Sequence, residues 1–238
     1  MSLAVIIPVY TPKPDANEQL ALAHNLSVLK NRSVVFVYPK GLDLEFYQKL
    51  APQAVFEAFD DSYFKSVMAY NDLMLSTSFY QRFISFEYIL ILQMDAWVFE
   101  DRLDYWMKKD FDYIGAPDAF YKTEPSSWHN RLLGSHLMNG GLSLRKTASM
   151  VKALSYYDKW YRKTYEGLED SFFSGHYSRF WPIRFILKLP DYKTALSFAF
   201  EKSPKEEYRR NQDKLPFGCH AYLKFDPDFW KSKGVQIA

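Results

Sequence analysis

One apolar run, residues 86–99, constrains the fold more than any other stretch of this 238-residue chain. It reads Phe-Glu-Tyr-Ile-Leu-Ile-Leu-Gln-Met-Asp-Ala-Trp-Val-Phe, and two polar residues, Gln93 and Asp95, interrupt it near its far end. The run is too short and too broken to span a bilayer. Its branched and aromatic content predicts a strand buried on both faces, as at the centre of a parallel sheet. Side chains alternate along a strand, so Gln93 and Asp95 are expected to point the same way and Met94 the other. A carboxylate in that setting loses its hydration and needs a cation, a hydrogen-bond network or a ligand in return. In open α/β sheets, ligands sit beyond the carboxyl ends of the strands, where Asp95 falls.

The flanking sequence supports such a sheet. Residues 3–9 form a short apolar run closed by Pro8 and Pro12, residues 15–29 have helical spacing, and residues 34–38 form a second strand. Strand, helix and strand make a βαβ opening with a right-handed crossover. Further on, the patterning predicts a helix over 44–50 and a strand over 54–59. A helix over 66–83 follows, with the polar pair Tyr70-Asn71 inside it. Next come a helix over 103–109, a strand and turn over 113–117, a strand over 139–145 and a helix over 147–157. The later segments are a helical opening from Leu168, a helix over 191–201 and a Gly-containing turn over 215–222. Residues 118–138 read as a long loop carrying Trp128, His129 and His136, and loops of that length are usually functional. No repeat, low-complexity tract or linker divides the chain, so one domain over residues 1–238 is expected.

Composition narrows the function classes. Hydrophobic residues make up 48% of the chain and aromatic residues 18%, more rings than a minimal core needs. The excess fits either an aromatic-rich core or a cleft that stacks rings on flat ligands. A net charge of +2 with interspersed signs gives no case for nucleic-acid binding. The single cysteine, Cys219, excludes an intrachain disulfide and fits a reducing, cytoplasmic setting. The first eight residues lack a basic region and a cleavage-type site, and they read as a core strand rather than a signal peptide.

Four groups of residues could carry chemistry. Gln93 and Asp95, at i and i+2 on a strand end, could hold a hard cation through oxygen. A buried Asp satisfied by backbone N–H groups fits the same spacing. Glu169-Asp170, at a helix start, could supply a general base and a substrate-orienting acid, although helix N-termini favour acids in any case. Asn139-Gly140-Gly141 could bring backbone close to a ligand or make a hairpin turn. His220, beside Gly218, could be a metal ligand or a surface histidine.

The order of these blocks is similar to that of the bacterial GT-A-type glycosyltransferases, specifically the DUF5672 group. The matching stretches are 87–99, 112–117, 139–145, 169–173 and 216–221. The resemblance implies an α/β, GT-A-like (Rossmann-related) mixed sheet flanked by helices. It also implies a nucleotide-binding half (1–99) and an acceptor-binding half (100–238). It makes Asp95 and His220 ligands of a divalent cation, Mn²⁺ or Mg²⁺, with Gln93 standing where the family's metal motif has its first Asp. Asp170 becomes the base and Glu169 an acceptor-positioning group. Asn139, Gly140 and Gly141 would border the donor sugar. Val9, Tyr10, Thr11 and Tyr38 would meet the nucleotide, with Ser66, Tyr70 and Asn71 as further nucleotide contacts. The implied partners are a nucleotide-sugar donor and a glycan or glycolipid acceptor, as in cell-surface polysaccharide synthesis, and no nucleic acid. The basic and aromatic stretch 179–185 would allow docking at the inner membrane face. Two other functions fit such a sheet. A sugar-1-phosphate nucleotidyltransferase would carry a Gly-rich basic loop after the first strand, where this chain has Val9-Tyr10-Thr11-Pro12. A non-catalytic nucleotide- or carbohydrate-binding module is the other.

Overall fold

In the computed structural model, which describes residues 1–118, 137–160, 165, 167–176 and 186–238, the βαβ opening forms and grows into a six-stranded sheet. β1 (Leu3–Pro8) is buried at every position. β2 (Ser33–Pro39) pairs with it on one side and β4 (Tyr88–Leu92) on the other, both parallel, and β3 (Val55–Phe59) extends the sheet beyond β2. β7 (Met138–Lys146) then lies antiparallel to β4, and β6 (Tyr113–Pro117) antiparallel to β7. The strand order is β3-β2-β1-β4-β7-β6.

Alternation explains why this sheet is covered on both faces. Leu3, Val5 and Ile7 pack with Leu90 and Leu92 on one side, while Ala4, Ile6, Ile89 and Ile91 join the core on the other. Each fully buried Leu, Ile or Val side chain contributes about 1.5–3 kcal/mol, so a slip of one residue in register would exchange the two cores. Helix α1 (Ala16–Val28) begins at a capping box, in which Asp15 accepts from the Asn17 and Glu18 backbone N–H groups and Glu18 reaches back to the Asp15 N–H.

Four expectations need correction. Residues 86–99 are not one strand. The run leaves the main sheet after Leu92, turns through Gln93–Asp95, and resumes as β5 (Ala96–Val98) in a second sheet. The Ala96 N–H closes that turn on the Gln93 carbonyl at 3.0 Å. Helix α2 (Glu45–Leu50) forms where one was expected, but residues 66–83 form two helices, α3 (Val67–Met74) and α4 (Thr77–Arg82), because Ser76 accepts from the Phe79 N–H and caps a new start. The helix expected over 191–201 ends at Phe198, and Ala199–Phe200 forms β8. The turn expected over 215–222 contains β9 (Gly218–His220), which pairs with β5 and β8 in the small sheet. A third apolar cluster, including Trp97, Phe200, Cys219, Tyr222 and Trp230, backs that sheet. Apart from its ends, the loop expected over 118–138 lies outside the described residues, as does the stretch 179–185. Among the described residues, no helix is long and apolar enough to cross a membrane.

Candidate active site

A cavity of about 450 Å³ opens at the carboxyl ends of β1 and β4, a size typical of small-molecule sites. Pro8 and Tyr10 line it from the end of β1, Glu18 from α1, and Ser66, Val67 and Tyr70 from the start of α3. Gln93, Met94 and Asp95 line it from the turn after β4. Both charged residues in this lining, Glu18 and Asp95, are acids. Tyr10 leaves 59% of its surface exposed, a ring free to stack.

Of the residues expected at a nucleotide, Tyr10, Ser66, Tyr70, Gln93 and Asp95 thus meet at one cavity. Four do not line it. Val9 is 1% exposed and packs in the core. Tyr38 packs edge-on against Phe56. The Thr11 carbonyl accepts from the Tyr47 hydroxyl at 2.9 Å. Asn71 is buried and spends its amide on the Gly167 carbonyl and the Glu169 N–H.

The turn that carries Gln93 and Asp95 is pinned from two directions. The Gln93 N–H donates to the Gly141 carbonyl at 2.9 Å, and the Ala221 N–H donates to the Asp95 carbonyl at 3.0 Å. The β5–β9 register puts His220 opposite Ala96. As a result His220 Nε2 lies 3.1 Å from Gln93 Oε1 and 3.2 Å from Asp95 Oδ1. Its other ring nitrogen, Nδ1, lies 3.2 Å from Glu201 Oε1. Burial pushes the His220 pKa down, but its hydrogen bonds to Asp95 and Glu201 outweigh that and raise it to about 9. Burial likewise pushes the Asp95 carboxyl up, and the hydrogen bond and charge of His220 bring it below its ordinary value. The alternation argument therefore brought Gln93 and Asp95 to one place for the wrong reason. They share a turn, not a strand face.

Asn139, Gly140 and Gly141 lie within β7 rather than in a hairpin turn. A Cβ on Gly141 would collide with His220 Nε2 and Gln93 Oε1, and one on Gly140 with Glu169 Oε1. Both positions are glycine because side chains from neighbouring elements already fill the space. Asn139 Oδ1 accepts from the Gly141 N–H at 2.6 Å.

Glu169 and Asp170 begin a single helical turn, Glu169–Ser171. They have separate surroundings. Glu169 is buried, and its Oε1 takes a 2.9 Å hydrogen bond from Arg145 Nη2, within a side-chain pair that is 0% exposed at Arg145 and 9% at Glu169. Burial raises its pKa to about 7 even though Arg145 pulls it down. This carboxylate, expected to position an acceptor, turns its Oε1 toward Arg145 inside the protein. Asp170 is less enclosed. Its Oδ1 accepts from the Ser171 N–H at 2.5 Å, and burial raises its pKa against that bond. It is close enough to Glu201 and Lys202 for their charges to be felt.

The donor chemistry available to a cation would be the Asp95 carboxylate, the Gln93 amide oxygen and, once the ring has given up its proton to the incoming ion, His220 Nε2. Among the described residues, no group of three or more His, Cys, Asp and Glu side chains gathers as a metal site would. One carboxylate, an amide oxygen and an imidazole still suit a hard divalent ion that takes its remaining ligands from phosphate and water. Sequence reasoning missed Glu201, Glu18 and Arg145. Arg145 stood in a recognised block, whereas Glu201 carried no signal at all.

Comparison with known proteins bears on the fold. Residues 53–220 match the family described as "Protein of unknown function (DUF5672)". No match was found among curated proteins. Mouse xyloside xylosyltransferase 1 in its apo form is similar in structure with a TM-score of 0.55 at 12% identity, over 92% of this chain and 97% of that one. The galactosyltransferase LgtC, in complex with donor and acceptor sugar analogues, gives 0.52 at 11% identity over 91% and 86%. The apo bifunctional glycosyltransferase WbbM gives 0.55 at 14% identity, over 92% of this chain but 45% of that one. At these identities the likeness establishes a GT-A-type fold, a mixed sheet flanked by helices, and leaves the chemistry to the site.

Proposed function

Because the chain belongs to the DUF5672 family and has a glycosyltransferase fold, we propose that it transfers a sugar from a nucleotide-sugar donor to a hydroxyl of a glycan or glycolipid. The observation that carries this reading is the cavity at the ends of β1 and β4, with Gln93, Asp95 and Tyr70 in its wall and His220 behind them. Tyr10 would stack on the base or ribose, and Ser66 and Tyr70 would flank the diphosphate. The acidic lining supports a role for a divalent cation, because Glu18 and Asp95 would repel a bare diphosphate. Asp95 and His220, with the Gln93 amide, would hold Mn²⁺ or Mg²⁺. Such an ion would neutralise charge on the departing diphosphate.

The acceptor hydroxyl is far too weak an acid to ionise at neutral pH. Asp170, raised by burial, is suited to take its proton as the oxygen attacks the anomeric carbon, which would give inversion. Glu169 and Arg145 anchor the turn that presents Asp170. This reading fits better than a nucleotidyltransferase, since the segment after β1 carries no Gly-rich loop.

Thermal shift with Mn²⁺ and a panel of nucleotide sugars tests the proposal. Wild type should be stabilised by at least one donor in the presence of Mn²⁺. Asp95→Ala should lose that metal-dependent stabilisation. Asp170→Asn should keep it while transfer or donor hydrolysis falls about 10²–10⁴-fold. If no nucleotide or nucleotide sugar stabilises wild type, the donor site is refuted. If Asp170→Asn turns over normally, another residue is the base.

A further inference from the structure

A closed circuit of hydrogen bonds runs back from Gln93, a residue of the cavity wall. The Gln93 N–H donates to the Gly141 carbonyl, and the Gly141 N–H donates to Asn139 Oδ1. Asn139 Nδ2 donates to Glu201 Oε1 at 3.0 Å, and the same oxygen lies 3.2 Å from His220 Nδ1. His220 Nε2, at 3.1 Å from Gln93 Oε1, closes the ring. Four separate pieces of chain meet here: the turn after β4, and the segments at β7, β8 and β9. Glu201 is the member that joins the Asn-Gly-Gly strand to the histidine.

Glu201 is itself held in place. Its side chain is 11% exposed. Its backbone N–H donates at 3.0 Å to Oε2 of Glu207, a residue that is 0% exposed. Glu207 sits in the first turn of helix Pro204–Arg210, directly after the segment that delivers Glu201. A mostly buried carboxylate costs stability unless it is paired and hydrogen-bonded, and Glu201 Oε1 meets both Asn139 Nδ2 and His220 Nδ1. An imidazole with one nitrogen fixed by a carboxylate has its ring plane set and its other nitrogen aimed.

We infer that Glu201 is a positioning residue, which fixes the His220 ring through Nδ1 and aims Nε2 at the space shared with Asp95 and Gln93. It touches neither donor nor acceptor. Its effect reaches the site through His220, while the bond it accepts from Asn139 Nδ2 helps hold its own carboxylate in place. The inference rests on the proposed reading that His220 is a ligand of a divalent cation.

The test is direct Mn²⁺ binding, by calorimetry or by the EPR signal of free Mn²⁺, without substrate or turnover. Wild type, Glu201→Gln, Glu201→Ala, His220→Ala and the double variant Glu201→Gln/His220→Ala are compared, with circular dichroism confirming that each is folded. Glu201→Ala should weaken Mn²⁺ binding about 10–100-fold. Glu201→Gln, which keeps an acceptor oxygen, should lose less. In the His220→Ala background, Glu201→Gln should cost nothing further, because the histidine through which it acts is gone. Wild-type affinity in both Glu201 variants overturns the inference while leaving the metal site standing. So do losses that multiply in the double variant, since they would mean that Glu201 acts independently of His220. Absence of Mn²⁺ binding by wild type overturns the metal reading and this inference together.

Discussion

Arg145 shows how much a single residue organises behind the site. Its side chain is 0% exposed. Nε donates to Ser143 Oγ at 2.9 Å and Nη1 to the Tyr80 hydroxyl at 2.7 Å, while Nη2 reaches the Gly140 carbonyl and Glu169 Oε1. The guanidinium also lies over the Tyr113 ring, 5.1 Å from its centroid. Only arginine supplies that fork of donors. Its partner is less completely satisfied, as Glu169 Oε2 has no hydrogen bond among the described residues. Removing one member of a buried pair strands the other, at a cost of roughly 3–5 kcal/mol. At pH 8, where Glu169 is ionised, Arg145→Met should therefore lower the thermal midpoint by about 6–20 °C for a chain of this size. Adding Glu169→Gln should recover part of that loss, because no uncompensated carboxylate remains. A single variant as stable as wild type would show that the pair is not structural. None of this was legible in the sequence. Glu169 stood beside Asp170 at a helix start, and nothing in that spacing says that one faces inward to an arginine 24 residues earlier while the other stays partly open.

At the scale of elements, the sequence showed where apolar strands run but not where one of them changes sheets. Continuous apolar runs rather than alternation located β1, β2 and β4, because both faces of the sheet are covered there. It could not locate the break between β4 and β5. That break is pinned by a backbone bond donated to the Gly141 carbonyl and one donated by the Ala221 N–H, both residues distant in sequence. The same limit hid Glu201, placed at the end of a helix that in fact stops at Phe198. The segment after β9 shows how the small sheet delivers His220. Ala221 follows it at φ 53°, in the left-handed region, and is buried. That conformation costs a non-glycine residue about 1–2 kcal/mol, and it lets the Ala221 N–H reach the Asp95 carbonyl. Ala221→Gly should be nearly neutral, since relief of strain offsets the greater freedom of the unfolded chain. Ala221→Val should destabilise by more than about 1 kcal/mol, because a β-branched residue suits that region poorly. It should also weaken Mn²⁺-dependent donor binding by shifting the bond to Asp95. Denaturant unfolding combined with Mn²⁺ titration checks both. Equal behaviour of Gly and Val would mean that the bend does not matter.

For the molecule as a whole, the buried acids dictate how stability follows pH. Burial raises Glu169 and Glu207 from an ordinary 4.5 to about 7 each. Between those values the unfolded chain has released both protons and the folded protein still holds them. The folded state binds more protons there, so stability falls as pH rises. His220 acts in the same direction over a higher window. Its hydrogen bonds to Asp95 and Glu201 raise it to about 9 against burial, so its contribution is complete below 6.5 and is lost as pH climbs to 9. The lowered carboxyls, Asp95 among them, work in the opposite sense, but only as pH falls below their ordinary 3.8. Metal-free protein should therefore be most stable near pH 5, with a thermal midpoint that declines steadily to pH 9. Each unit of pKa difference carries about 1.4 kcal/mol. The two glutamates alone then suffice for a fall on the order of 10 °C. Calorimetry in the presence of a chelator measures this directly, and a flat or rising profile between pH 5 and 8 would contradict it. Glu207→Gln isolates one of these acids. The amide oxygen can still accept the Glu201 N–H that Glu207 Oε2 accepts at 3.0 Å, but nothing at that position titrates. The variant should match wild type near pH 5 and exceed it at pH 8. If it is no more stable than wild type at pH 8, Glu207 is not the acid that makes the folded protein hold its proton.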